Sequence, residues 1–176
     1  LGLDYNRLEL AIKDLKPIPG RMEKFVGDSA MAAAVIDFAH TEQALRACLT
    51  ASREHTSGQL LCVFGCGGDR DQGKRSGMGR AVEELADRVI VTDDNPRNES
   101  PEKIVSEILA GMQQPERACV VHNRQAAIEY ALSQAAVEDL VVIAGKGPEQ
   151  EQIVGNERRP FSDRHVVGRI LQLKHV

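Results

Sequence analysis

The sequence predicts an α/β fold: a mostly parallel sheet of about six strands, with helices on both faces. Three observations lead there. Short apolar runs alternate with amphipathic stretches of about a dozen residues, the order expected of βαβ units. The runs LLCVF, RVIV and LVVIA are apolar at nearly every position. Strands buried on both faces read that way, whereas half-buried strands alternate. The unusual polar and glycine-rich segments all follow strands, where open parallel sheets bind ligands.

Each element has its own signal. Leu8, Ala11, Ile12 and Leu15 recur at helical spacing behind Asp4, a suitable N-cap. The segment Lys16-Pro17-Ile18-Pro19-Gly20 cannot continue that helix and reads as a stiff linker. Residues 1–19 are therefore expected to be the tail helix and linker of a preceding domain, and 20–176 the domain proper. The chain opens inside a helical pattern without an initiating Met, so a longer protein is expected. Strands are predicted over 22–26, 32–38, 59–64, 88–92, 118–121 and 140–144. Helices are predicted over 41–53, with Thr41 as cap, and over 78–86. A further helix covers 101–111, where Ser100 caps, Pro101 takes the first position and Gly111 stops the helix. Another runs from the cap Asn123 to 135, and a closing one covers 163–173. The whole reads as a Rossmann-like domain.

Composition narrows the function. The 176 residues carry 22 Lys+Arg against 26 Asp+Glu, a formal charge of −4. Mild acidity argues against nucleic acid or an anionic membrane as partner. No apolar run is long enough to span a bilayer, and the N-terminus lacks signal-peptide order. The four cysteines match no zinc spacing. They are expected to be buried, reduced thiols in a cytoplasmic protein. Aromatic residues are only 3%, so the core must be aliphatic.

Four loops carry the chemistry. The first, Gly65 to Arg75, nearly spells a phosphate-binding GxxxxGK[ST]. Arg75 replaces the hydroxyl, and Asp69 and Asp71 bring negative charge, so an ATP P-loop is disfavoured. Arg70, Lys74 and Arg75 offer cations for a carboxylate or phosphate; the same residues also fit a tight turn with solvated charges. The second, Thr92 to Glu99, is braced by Pro96 and offers Asp94, Asn95 and Arg97. That carboxylate, amide and guanidinium complement a zwitterionic amino acid. They also fit a turn opening a helix. The third, Asp37 to Thr41, has an acid at a strand end suited to a ribose hydroxyl, and His40 suited to a nucleotide or to capping. The fourth, Ala144 to Glu149, pairs glycines with Glu149 as an acceptor for an ammonium. No Ser-His-Asp, Cys-His or metal-spaced constellation is present, so no catalytic residue and no metal ligand is assigned.

Seven words in order carry a resemblance: GRME (20–23), DFAHT (37–41), VFGCGGDRDQGKR (63–75), VTDDNPR (91–97), AGKG with Glu149, QIVG (152–155) and SDR (162–164). Together they resemble the C-terminal domain of the Mur ligases of peptidoglycan synthesis, most closely the branch that adds meso-diaminopimelate. The resemblance implies an enzyme of three domains, with ATP and Mg²⁺ bound mainly by a central domain that this chain lacks. It implies amide formation on UDP-MurNAc-L-Ala-D-Glu through an acyl phosphate. The partners implied are the central and N-terminal domains of the same enzyme. The isolated piece would be inactive. Carried over to this chain, Arg70, Asp94, Asn95, Arg97, Gly145 and Glu149 would bind diaminopimelate. Arg21, Asp37 and His40 would touch ATP from the closing side. The lysine-adding relatives lack the arginine that stands here as Arg97. Phe38, Glu42, Ser76, Pro148 and the pair Gln150-Glu151 depart from the family pattern. Two other readings remain: a non-catalytic ligand-binding or regulatory protein keeping the fold, and a family ligase for another amino acid.

Overall fold

The computed structural model describes residues 18–28 and 30–173, together with Tyr5 and Glu9. The helix expected over 4–15 lies outside the described residues but for those two. The sheet has six strands: β1 Glu23–Phe25, β2 Ala33–Asp37, β3 Leu60–Phe64, β4 Arg88–Val91, β5 Cys119–Val120 and β6 Leu140–Ala144. Their spatial order is β1-β2-β6-β3-β4-β5. Only β1, at the edge, runs antiparallel to its neighbour; β2, β6, β3, β4 and β5 pair in parallel.

The helices follow from that order. Right-handed crossovers put a connecting helix on one face when the chain moves one way along the sheet, and on the other when it reverses. From β2 through β5 the chain advances in one direction. The connecting helices α1 Glu42–Arg53, α2 Lys74–Leu85 and α3 Pro101–Leu109 accordingly share one face. From β5 the chain returns to β6, and α4 Arg124–Gln134 covers the opposite face together with α5 Asp163–Ile170. Side chains divide by alternation. Leu60, Cys62 and Phe64 join the first layer, while Leu61 and Val63 join the second. Strand order reverses between β3 and β6, which opens a crevice at their carboxyl ends.

Most boundaries fall near those expected; the exceptions have physical causes. Helix α2 begins at Lys74, ahead of the predicted 78, because its first turn buries Arg75 rather than an apolar residue. A hairpin, β7 Glu151–Val154 with β8 Glu157–Pro160, occupies a segment with no predicted element. Its β8 residues are all exposed, so no apolar pattern marks them. Cys48, Cys62 and Cys66 are buried and Cys119 is half-buried; all four are free. Burial pushes the Cys48 thiol up to about 12, aided by the nearby Asp37 carboxylate.

One charged pair sits inside this core. Arg124, at the start of α4, meets Asp163, at the start of α5, with Nε–Oδ1 and Nη2–Oδ2 both at 2.8 Å, and neither side chain is exposed. The same Nη2 donates to Ala144 O at 3.0 Å. Two helix starts and the end of β6 are thus joined beneath the crevice. Removing one partner of a buried pair strands the other charge, which costs about 3–5 kcal/mol. Arg124→Met is expected to destabilise the domain by about that amount in urea unfolding. The double change Arg124→Met/Asp163→Leu should cost less than the two single changes added together.

Candidate functional site

The crevice holds a cavity of about 350 Å³. Around it stand Arg70, Asp94, Arg97, Gly145 and Glu149, drawn from three separate loops. His40 and Phe38 close one side. A larger cavity of about 650 Å³, lined by residues such as Glu83, Arg88 and Arg117, lies at the opposite, amino end of β4 and gathers none of the loops singled out above.

The loops after β3 and β4 are joined directly. Gly68 N donates to Asn95 O at 2.9 Å, and Arg97 Nη1 donates to Gly68 O at 2.8 Å. A Cβ at Gly67 would stand 2.9 Å from Arg97 Nη1 and 3.9 Å from Arg70 Cγ, so the two arginines approach each other across a bare backbone. Arg97 is left-handed, with φ at +52°. Asp94 is 8% exposed, and its carboxylate accepts no hydrogen bond among the described residues. One oxygen would lie 2.7 Å from a Cβ at Gly145, whose φ of +116° also demands glycine. The adjacent acid points elsewhere: Asp93 Oδ1 meets His122 Nδ1 at 2.8 Å. Burial pushes the Asp93 carboxyl up, more than His122 draws it down.

Behind the cavity lies a charge that the sequence reading passed over. Lys146 is fully buried. Its Nζ donates to Asn95 Oδ1 at 3.0 Å and to Glu149 Oε2 at 2.8 Å. Asn95 Nδ2 also donates to Glu149 Oε2, at 2.9 Å, and Asn95 Oδ1 accepts from Ile153 N at 2.9 Å. Asn95 therefore stands in the wall, holding Glu149, rather than on the cavity surface. Burial pushes Glu149 up, but hydrogen bonds from Lys146 and Asn95 outweigh it and hold the carboxyl below its ordinary value. The available signal was a lysine between two glycines at a strand end, where a solvated lysine has no reason to be.

Arg75 corrects an expectation. It is not a cation for a ligand. It is buried, with Nη2 at 2.9 Å from Glu99 and Nη1 at 2.6 Å from Glu107. A helix start that buries its arginine needs acids close by, and α3 and its approach supply them. Lys74 reaches His40 O at 2.8 Å.

The third loop is built around Phe38. The Arg21 guanidinium lies 4.6 Å above its ring, and the His40 ring is 4.6 Å from it at 60°. Asp37 turns to the backbone: Oδ2 accepts from Met22 N and Oδ1 from Ala39 N, both at 2.8 Å. A Cβ on Gly20 would come within 2.3 Å of Gly147 C and Pro148 N. The words GRME, DFAHT and AGKG therefore meet in space. Arg21 and Asp37 sit beside the cavity rather than on its wall. Among the described residues no cluster of three His, Cys, Asp or Glu side chains could hold a metal ion, and no helix is long and apolar enough to cross a membrane.

A mostly parallel sheet with a charged cavity at its reversal point defines a doubly wound α/β domain. The chain belongs to the Mur ligase family: residues 20–147 match the family described as Mur ligase, glutamate ligase domain. It is 46% identical over 174 residues to a UDP-N-acetylmuramoyl-L-alanyl-D-glutamate–2,6-diaminopimelate ligase of Vibrio cholerae serotype O1, covering 99% of this chain and 35% of that one. Identity to the Haemophilus ducreyi enzyme of the same name is also 46%, over 97% of this chain and 34% of the relative. A solved structure of a ligase so named superposes with a TM-score of 0.82 at 40% identity, covering 99% of this chain and 36% of that one. A folylpolyglutamate synthase of Mycobacterium tuberculosis gives 0.62 at 26%, over 82% of this chain and 33% of that one. The chain thus spans about a third of the length of the curated relatives it matches.

The Arg75–Glu99 pair has a pH signature. Hydrogen bonds from Arg75 hold the Glu99 carboxyl down to about 2. A carboxyl lower in the folded state stabilises at pH above its unfolded value, ordinarily 4.5, and that contribution fades as pH falls toward 2. Glu99→Gln is expected to lose stability at pH 7 and to show a flatter decline than the parent protein between pH of about 4.5 and 2. Urea midpoints across that range measure it.

Proposed function

We propose that this chain is the amino-acid-binding, lid-forming C-terminal domain of an ATP-dependent ligase. That ligase adds meso-diaminopimelate to UDP-MurNAc-L-Ala-D-Glu in cytoplasmic peptidoglycan synthesis. In this reading residues 1–19 end the central domain and link it to residues 20–176. The observation that carries it is the charge layout of one cavity: the guanidiniums of Arg70 and Arg97 stand with the carboxylates of Asp94 and Glu149, and Lys74 and Asp71 also line it with one charge of each sign. Diaminopimelate carries ammonium and carboxylate at both ends, and such a wall complements it.

In the proposed reaction the D-glutamyl carboxylate is phosphorylated by ATP, and the amine of diaminopimelate displaces phosphate from the acyl phosphate. This domain supplies positioning rather than a bond-making group. Arg70 and Arg97 hold the distal carboxylate in charge-assisted pairs. Asp94 and Glu149 accept from ammonium, with Glu149 kept ionised by Lys146 and Asn95. Gly145 lets the ligand approach the backbone. Lysine lacks the distal carboxylate and would leave the arginines unpaired; sites of this kind reject such analogues by roughly 10⁴–10⁵.

The ATP side rests on Phe38. Arg21 and His40 flank its ring and fit a nucleotide arriving from above, as cation and ring partners. Asp37 already accepts two backbone N–H groups, so a ribose hydroxyl would take its remaining lone pairs. Mg²⁺ would be bound by the central domain, where it neutralises charge on the transferring phosphate. Departures at Glu42 and Ser76 lie away from the cavity. Pro148 lies against Gly20, so its effect falls on the approach to Glu149.

Two measurements test the reading. Arg97→Ala in the full-length protein is expected to raise the diaminopimelate KM on the order of 10²-fold, since truncating one partner of a buried charged pair costs about 2–5 kcal/mol. The ATP KM should stay within about twofold. An unchanged diaminopimelate KM removes Arg97 from the site. Titration calorimetry with diaminopimelate, lysine and glutamate should show heat only for the first; equal binding of lysine or glutamate would assign the domain to another ligase of the family.

A further inference from the structure

The hairpin β7–β8 contains the word QIVG, and the proposed site uses none of its residues. No side chain from 150–155 lines the cavity. Yet β7 lies along the back of the loop that carries Asp94 and Arg97. Gln152 Nε2 donates to Asp94 O at 2.8 Å and, more weakly, to Asp93 O at 3.4 Å. Arg97 N donates to Ile153 O at 3.1 Å, and Gly155 N donates to Arg97 O at 2.7 Å. Arg97 and Val154 form a parallel bridge. Both backbone polar groups of Arg97 are therefore held by the hairpin.

That grip has a reason. Arg97 is left-handed at +52°, a conformation that residues with a Cβ disfavour and keep only where surroundings impose it. Relaxed to an ordinary φ, the residue would swing its guanidinium away from Gly68 O and from Arg70. Asp94 is fixed in the same way but through its carbonyl, which leaves its carboxylate without a hydrogen bond among the described residues. The hairpin is in turn held by the antiparallel β7–β8 ladder, across which Arg158 pairs with Glu151.

We propose that the β7–β8 hairpin is a positioning device for amino-acid selectivity, with Gln152 and the turn at Gly155 as its working parts. It sets where Asp94 and Arg97 present their charges without touching the ligand. The inference rests on the reading of the cavity as the diaminopimelate site.

The test uses the full-length protein and Gln152→Glu, which keeps shape but replaces both N–H donors with an acceptor facing two carbonyls. The diaminopimelate KM is expected to rise at least about tenfold, with the KM values for ATP and UDP-MurNAc-L-Ala-D-Glu within about twofold. In an Asp94→Asn background the same change should raise KM no more than about twofold further, because the charge that Gln152 positions is gone. An unchanged KM, equal rises for all three substrates, or full additivity with Asp94→Asn would overturn the inference. If Gln152→Glu does not fold, Gly155→Ala decides alone. Its φ of +56° strains any Cβ although space around it is open, and the same selective rise in KM is expected. If Arg97→Ala itself leaves KM unchanged, the reading of the cavity fails. If it raises KM and the hairpin variants do not, only the hairpin inference falls.

Discussion

A single buried ammonium organises the carboxyl end of this sheet. Lys146 leaves β6 between two glycines and turns inward, where it has no water to solvate it. Its charge is tolerated only because Glu149 and the Asn95 amide oxygen come to it. Those two groups belong to different loops, so satisfying one cation fixes the distance between them. Glu149 then stays ionised, and Asn95 accepts a backbone N–H from β7 as well.

A second buried pair, Arg124 with Asp163, does comparable work one layer lower. It anchors two helix starts to Ala144, the residue before the turn that carries Lys146. Fixing the end of β6 from below and its following loop from above leaves Gly145 little freedom. The short aliphatic core, with few aromatics to fill gaps, makes such polar anchors more consequential: helices packed through Ala127, Ala131 and Val167 can slide unless something directional stops them.

Much of this was legible in the sequence. Continuous apolar runs gave the buried strands, and caps such as Thr41, Ser100 and Asn123 marked helix starts where the structure has them. The loops singled out as chemical do converge, because the carboxyl ends of neighbouring parallel strands must. What escaped reading depended on pairing across the chain. Arg75 reads as a cation open to a ligand or to solvent, since a sequence does not say that Glu99 and Glu107 will be adjacent, and Lys146 escaped because its partner Asn95 comes from another loop. The β7–β8 hairpin escaped because its outer strand is wholly exposed and its inner one is only half-covered. Nothing in the sequence signals that the Asn95 side chain turns to Lys146 and Glu149.

The close contact at Gly20 has a mechanical meaning. Pro19 fixes one backbone torsion ahead of it, and Gly147 with Pro148 leave no room for even a methyl group behind it. The turn at Gly20 is therefore wedged against the loop that carries Lys146. Any displacement of Gly20 would press directly on Gly147 and Pro148, and so on the glycine turn beside Lys146.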